Sequence, residues 1–150
     1  MPAFDSDAPA DWHPGLADDE DSALGSDQCV VRGERWFLRG NLVLPVHGED
    51  TEDLVFGVWL SVSEGTFERA AELWDNPHRV REPPYPGWLA TALPGYADPT
   101  LGMLARLRHR PPGTRPLVAL HQSDHPLAVE QREGIAPARA AELAELARGG

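Results

Sequence analysis

Four residues near the C-terminal end carry side chains suited to moving a proton or holding a metal: His121, Asp124, His125 and Glu130. An imidazole oriented by a carboxylate is a common general base. Two imidazoles and a carboxylate are a partial ligand set for a divalent cation. They lie in the stretch RPLVALHQSDHPLAVEQREGI, Arg115 to Ile135. An apolar, strand-like run from Pro116 to Leu120 breaks at a polar knot, His121 to His125. Pro126 opens a short helical segment and Gly134 closes it. No fourth metal ligand is close in sequence, although His109 could approach through a hairpin. No Ser or Cys stands in a nucleophile elbow, and Asp124 is also placed to cap the helix. No metal site and no cofactor are therefore assigned. A small metal-dependent or acid/base enzyme using His121, Asp124 and His125, with Glu130, is carried as an alternative.

A second set is cationic. Arg106, Arg108 and Arg110 recur at spacing two on a strand-like segment, with Arg115 across a Pro-Pro-Gly-Thr turn. Like charges on one strand face repel and need acidic company or an anion. The acidic N-terminal segment is the internal candidate, and a phosphate or carboxylate ligand would make the chain an anion-binding sensor. A third set is aromatic. Residues 75–99 contain six prolines together with Tyr85, Trp88 and Tyr96. Such a stretch is either a packed strap or a binding surface.

These residues must be positioned by the elements around them. Residues 1–14 read as an extended acidic lead-in anchored by Phe4 and Trp12, and Leu16 to Leu24 as one or two helical turns. Gln28–Arg32 and Arg35–Val46 are strand-like around a turn at Gly33, and Gly40 is expected to mark a bulge. In Leu54–Val62 the set Leu54, Phe56, Val58, Leu60 and Val62 forms the core face. Ser63 is an N-cap, and Thr66–Trp74 an amphipathic helix with its stripe at Phe67, Ala70, Ala71 and Trp74. Trp88–Leu93 is a short helix or edge strand. Leu101–Arg110 alternates and pairs as a hairpin with Arg115–His121. The last helix runs from Pro137 through Ala147 on Ala140, Leu143, Ala144 and Ala147. The expected architecture is one α+β domain over residues 1–150: an antiparallel sheet of about five strands with two main helices packed on it.

Composition narrows the function classes. The chain has 150 residues and a net charge of -11; every one of its 13 basic residues is Arg. Residues 1–31 hold eight carboxylates and no Arg, which is -8 of the -11. That balance argues against nucleic acid or an anionic membrane as partner. There is no Gly-rich phosphate loop and no basic-aromatic pattern for nucleic acid. No apolar run reaches the roughly 20 residues that span a bilayer, and Met1–Asp7 has no signal-peptide character. A cytoplasmic location follows as the expectation. The single cysteine, Cys29, lies in an apolar run and is expected to be buried rather than nucleophilic.

Several blocks, in order, resemble one family. They are Asp11-Trp12-His13, Gln28-Cys29-Val30, FGVWLSVSEGTFERAAELWD, EPPYPGWLATALPGY, HRPPGTRPLVAL and SDHPLAVEQREGI. Together they resemble the uncharacterised bacterial family known as domain of unknown function 2199, from about Phe4 to Ala147. The resemblance implies no activity. Many members begin with a short Cys-containing, zinc-knuckle-like segment, after which this chain is expected to start. Cys29 matches a cysteine of the domain body instead. The leading expectation is thus a non-enzymatic, cytoplasmic domain that binds a protein through Tyr85 to Tyr96, with the Arg strand beside it. One form of it is an immunity-like inhibitor whose acidity blocks a basic toxin. The oligomeric state is left open.

Overall fold

Arg35–Leu44 and Leu54–Val62 alternate apolar side chains, and the two strands pair antiparallel without a break from Trp36↔Val62 to Leu44↔Leu54. In the computed structural model, which describes residues 4–149, they are the centre of an eight-stranded sheet. Its strands are β1 (Phe4–Asp5), β2 (Ala23–Leu24), β3 (Gln28–Val31), β4 (Arg35–Leu44), β5 (Leu54–Val62), β6 (Tyr85–Leu89), β7 (Leu104–Arg108) and β8 (Leu117–Leu120). The helices are α1 (Glu64–Glu72), α2 (Pro126–Glu133) and α3 (Pro137–Ala147).

Strands β4 to β8 form a meander that closes on itself as a five-stranded barrel. In an antiparallel meander of odd count the first and last strands point the same way. The closing pair is therefore parallel, and it consists of Asn41↔Leu117 alone. This corrects the antiparallel sheet of about five strands: the sheet is mixed, barrel-like and extended by β1, β2 and β3. Local alternation carries no sign of a parallel closure between residues so far apart in the chain.

The barrel interior takes the expected face of β5, Leu54, Phe56, Val58, Leu60 and Val62, with Leu38, Leu42, Leu44, Leu107 and Val118. From the helices, Leu127 and Ala128 of α2 and Leu143 of α3 join this core. The outer face of β4 and β5 is covered too. Phe37 and Trp59 are buried there with Leu16, Cys29, Val31 and Ala90. The N-terminal segment supplies that cover, so it is more than a lead-in. Phe4–Asp5 pairs parallel with Phe56–Gly57, and Pro14–Asp18 is a 3-10 turn where helical turns over Leu16–Leu24 were expected. Residues 1–3 of the lead-in lie outside the described residues.

Gly40 makes no bulge. It stays in register with Val58, and a Cβ there would stand 2.8 Å from Val118 Cγ2 and 2.9 Å from Leu107 Cδ1. A barrel this narrow has no room for another side chain at that level.

Local signals place the helices. Ser63 Oγ accepts from Thr66 N–H at 3.1 Å and caps α1, which starts at Glu64. The Pro/aromatic stretch holds a 3-10 turn, Pro77–Arg81, followed by β6, so the strand begins at Tyr85 rather than Trp88. Buried Arg79 ties this stretch to the β7–β8 turn. It donates to the carbonyls of Arg110 (2.7 Å), Trp74 (2.8 Å), Pro111 (2.9 Å) and Thr114 (3.0 Å). Helix α2 packs against both β4 and β8. Its Gln131 amide reads the edge of β8 turned away from β7: Oε1 accepts from Leu120 N–H (2.8 Å) and Nε2 donates to Val118 O (2.9 Å).

Candidate functional site

The register of β6 and β7 decides which of the singled-out residues meet at the surface. Pro86 pairs with Arg106 and Trp88 with Leu104. Alternation turns these four outward, while Tyr85, Gly87, Leu89, Ala105 and Leu107 turn inward. Trp88 is 51% exposed, Leu104 43% and the nearby Leu101 45%, high values for large apolar side chains. Two open depressions flank the Trp88–Leu104 pair. One, of about 360 Å³, is lined by Trp88, Leu101, Asp11 and Ser61. The other, of about 170 Å³, is lined by Pro86, Leu104, Arg106 and His121. Arg106 and Arg108 are exposed on the outer face of β7, and neither has a carboxylate within ion-pair distance among the described residues.

The other aromatic residues of the strap face the protein. The Tyr85 hydroxyl donates to Glu82 Oε1 (3.1 Å), and its ring meets His109 edge-on at 4.2 Å. Burial, then the Glu82 carboxylate, pushes the Tyr85 hydroxyl up to about 12. Tyr96 packs against the core beneath the Arg139 guanidinium, 5.2 Å from its ring. Burial and the Glu130 carboxylate raise its hydroxyl as well.

The four Arg residues separate. Arg110 lies past the end of β7, half-buried, and its Nε donates to Arg115 O at 2.6 Å. It does not share the outer face with Arg106 and Arg108. Arg115 turns to the N-terminal segment, reaching Asp5 (3.1 Å), Asn41 (3.3 Å) and Asp27 (3.5 Å).

The proton-transfer candidates separate as well. His121 is exposed beside Arg106, and Asp124 is exposed. His125, not Asp124, caps α2: its Nδ1 accepts from Leu127 N–H at 3.0 Å. That contact fixes the tautomer, leaving Nε2–H to donate to Pro99 O at 3.1 Å. Glu130 pairs with Arg139 at 2.8 Å. Tyr96 lies between His125 and Glu130, its ring 6.1 Å from that of His125 and beneath the Arg139 that holds Glu130. His109 is held on Pro83 O at 3.0 Å. Among the described residues no three His, Cys, Asp or Glu side chains are grouped to hold a metal ion. Cys29 is buried, and burial pushes its thiol up to about 11.

Sequence reasoning passed over a second polar locus, on the outer face of β4 and β5. Asn41, Gly57 and Asp5 stand in register across three strands, with Arg39 opposite Trp59. Arg39 is 6% exposed. Its guanidinium donates to Asp5 Oδ1 (2.7 Å) and Ser26 O (2.8 Å), and it sits 5.3 Å from the Trp59 ring. One signal was available: Arg39 is the only charge between the ends of a ten-residue strand whose other interior residues, Asn41 and the Trp36 indole N–H apart, carry no polar side-chain group.

Among the described residues no helix is long and apolar enough to cross a membrane. No curated protein and no solved structure matches the chain. Residues 1–135 match the family described as an uncharacterized protein conserved in bacteria (DUF2199). The match takes in the whole sheet together with α1 and α2, and stops short of α3. The chain belongs to this DUF2199 family.

Proposed function

We propose that the chain is a non-enzymatic, cytoplasmic protein-binding domain that docks its partner on the outer face of β6 and β7. One observation carries this reading: the exposed cross-strand pair Trp88–Leu104, with Leu101 beside it, forms one apolar patch next to two arginines that have no acidic partner among the described residues. An exposed Trp with a flanking Arg is typical of residues that dominate binding energy. The partner chemistry follows from the same face. An apolar side chain packs on Trp88 and Leu104, and carboxylates beside it meet Arg106 and Arg108. Such a partner differs from the basic toxin of an immunity-like reading. Three carboxylates of the acidic N-terminal segment, Asp5, Asp11 and Asp27, are engaged with arginines of this chain. The engaged nitrogens of His125 and the Glu130–Arg139 pair support a structural role for those residues.

The test is position-specific photocrosslinking in the cell, with the crosslinking residue at 88, at 104, or at Leu24 on β2 as a control. The adduct is identified, and the purified partner is titrated against the wild type, Trp88→Ser and Arg106→Glu/Arg108→Glu. The expected result is an adduct at 88 and 104 but not at 24, and at least tenfold weaker binding by both variants. Equal labelling at all three positions, or an affinity indifferent to Trp88→Ser, refutes the reading.

A further inference from the structure

A second site is built independently of the β6–β7 surface. Between the end of the β3 pairing at Leu38 and the single β8 pairing at Asn41, the neighbours of β4 part and open a cleft of about 400 Å³. Asp5, Asp27, Asn41, Arg79, Thr114 and Arg115 line it. Beneath Asp5, Gly57 presents no side chain, and the Asp5 carboxylate and the Arg115 guanidinium lie over its α-carbon. Arg39 reaches the same carboxylate from the side, and one oxygen, Asp5 Oδ1, accepts from both guanidinium groups. That is the arrangement by which paired arginines grip a carboxylate or phosphate oxygen.

Two observations show that this grip is not closed. Arg39 Nε is buried and finds no partner among the described residues. Asp5 comes from a two-residue strand, and its side chain remains 38% exposed. Rotation of this one side chain to solvent would leave the guanidinium groups of Arg39, Arg79 and Arg115 against the carboxylate of Asp27, with the fully exposed Asp7 carboxylate 3.9 Å from Arg39. The cleft volume lies within the range of small-molecule sites, about 300–1,000 Å³.

We propose that this cleft is an oxyanion site, and that Asp5 is its built-in occupant, displaced by the phosphate or carboxylate group of a small ligand. Arg39 and Arg115 hold the oxyanion, Asn41 orients Arg115, and Gly57 leaves the space in which it sits. The side chain of Asp5 competes with the ligand, so removing its charge opens the site.

The experiment is calorimetric titration of the full chain with inorganic phosphate, and separately with acetate, at constant ionic strength set by chloride. The isosteric variant Asp5→Asn is expected to bind phosphate at least tenfold more tightly than the wild type. Asp5→Asn/Arg115→Gln is expected to lose that gain. Tighter acetate than phosphate binding would assign the ligand as a carboxylate, the reverse as a phosphate. An Asp5→Asn variant no tighter than wild type for either anion, or a gain that survives Arg115→Gln, overturns the proposal. Should Asp5→Asn fail to fold, the Nε–H resonances of Arg39 and Arg115 in the wild-type chain decide the matter. Saturable shifts on adding phosphate or acetate are expected. Their absence with both anions overturns the proposal.

Discussion

Adding one methyl group at Gly57 tests the outer-face locus most directly. A Cβ there would fall 1.9 Å from Asp5 Oδ1, 2.8 Å from Asp5 Cγ and 3.1 Å from Arg115 Nη1. The carboxylate must leave, and with it the contacts to Arg39 and Arg115. A charged hydrogen bond contributes about 1.5–3 kcal/mol, and a buried charge stripped of its partner costs about 3–5 kcal/mol. Solvent reaches Asp5, and Arg39 keeps its bond to Ser26 O. The expected loss for Gly57→Ala is therefore nearer the lower figures, about 2–3 kcal/mol. For a chain of this length that corresponds to a Tm lower by about 5–10 °C. Urea unfolding followed by Trp fluorescence measures it. Gly65→Ala is the control: a Cβ at that α1 position meets nothing within 4 Å, and helix propensity predicts a gain of up to about 1 kcal/mol. An Asp5→Ala background supplies the second control. With the carboxylate gone, Gly57→Ala should cost almost nothing further. A Gly57→Ala variant within about 0.5 kcal/mol of wild type, the usual range of neutral surface changes, refutes the reasoning. So does full additivity of the two substitutions.

The remaining predictions concern single side chains. Arg79→Lys keeps the charge but cannot span four carbonyl oxygens, so stability should fall by about 2–4 kcal/mol, with faster amide exchange in the β7–β8 turn. His125→Ala removes the α2 cap and should cost about 1 kcal/mol, whereas His125→Asn should recover most of it; chemical unfolding of the pair reads the difference. The Cys29 thiol, raised from 9.0 to about 11, should resist alkylation at pH 8 in the folded chain and react once urea unfolds it. Because the folded state holds this proton more tightly, its contribution to stability is complete below about pH 9 and declines as pH rises toward 11.

Local physics was legible where the answer is local. The alternation of Leu54 to Val62, the Ser63 cap, the Pro126 and Pro137 helix starts and the β7–β8 hairpin all appear at the expected places. What escaped depends on partners far away in the chain. A two-residue strand such as Phe4–Asp5 has no period to detect, and its pairing with β5 appears only in the folded sheet. Tyr85 and Trp88 look alike in a proline-rich stretch, yet one strand register sends the first inward and the second outward. Spacing placed Arg110 with Arg106 and Arg108, but β7 ends at Arg108, and beyond it the chain turns inward. The Arg39–Asp5 pair joins residues 34 positions apart, and no local pattern encodes it.

The Gln131 amide has a consequence for solubility. Where a barrel closes through a single backbone pair, the strand beside the gap keeps free N–H and C=O groups, and such a row is a template on which another chain can add. Gln131 offers β8 one acceptor and one donor at the spacing of a neighbouring strand. It thereby occupies the positions through which a second copy would pair. One uncharged side chain on a helix thus fills part of the edge that an extra strand would otherwise cover.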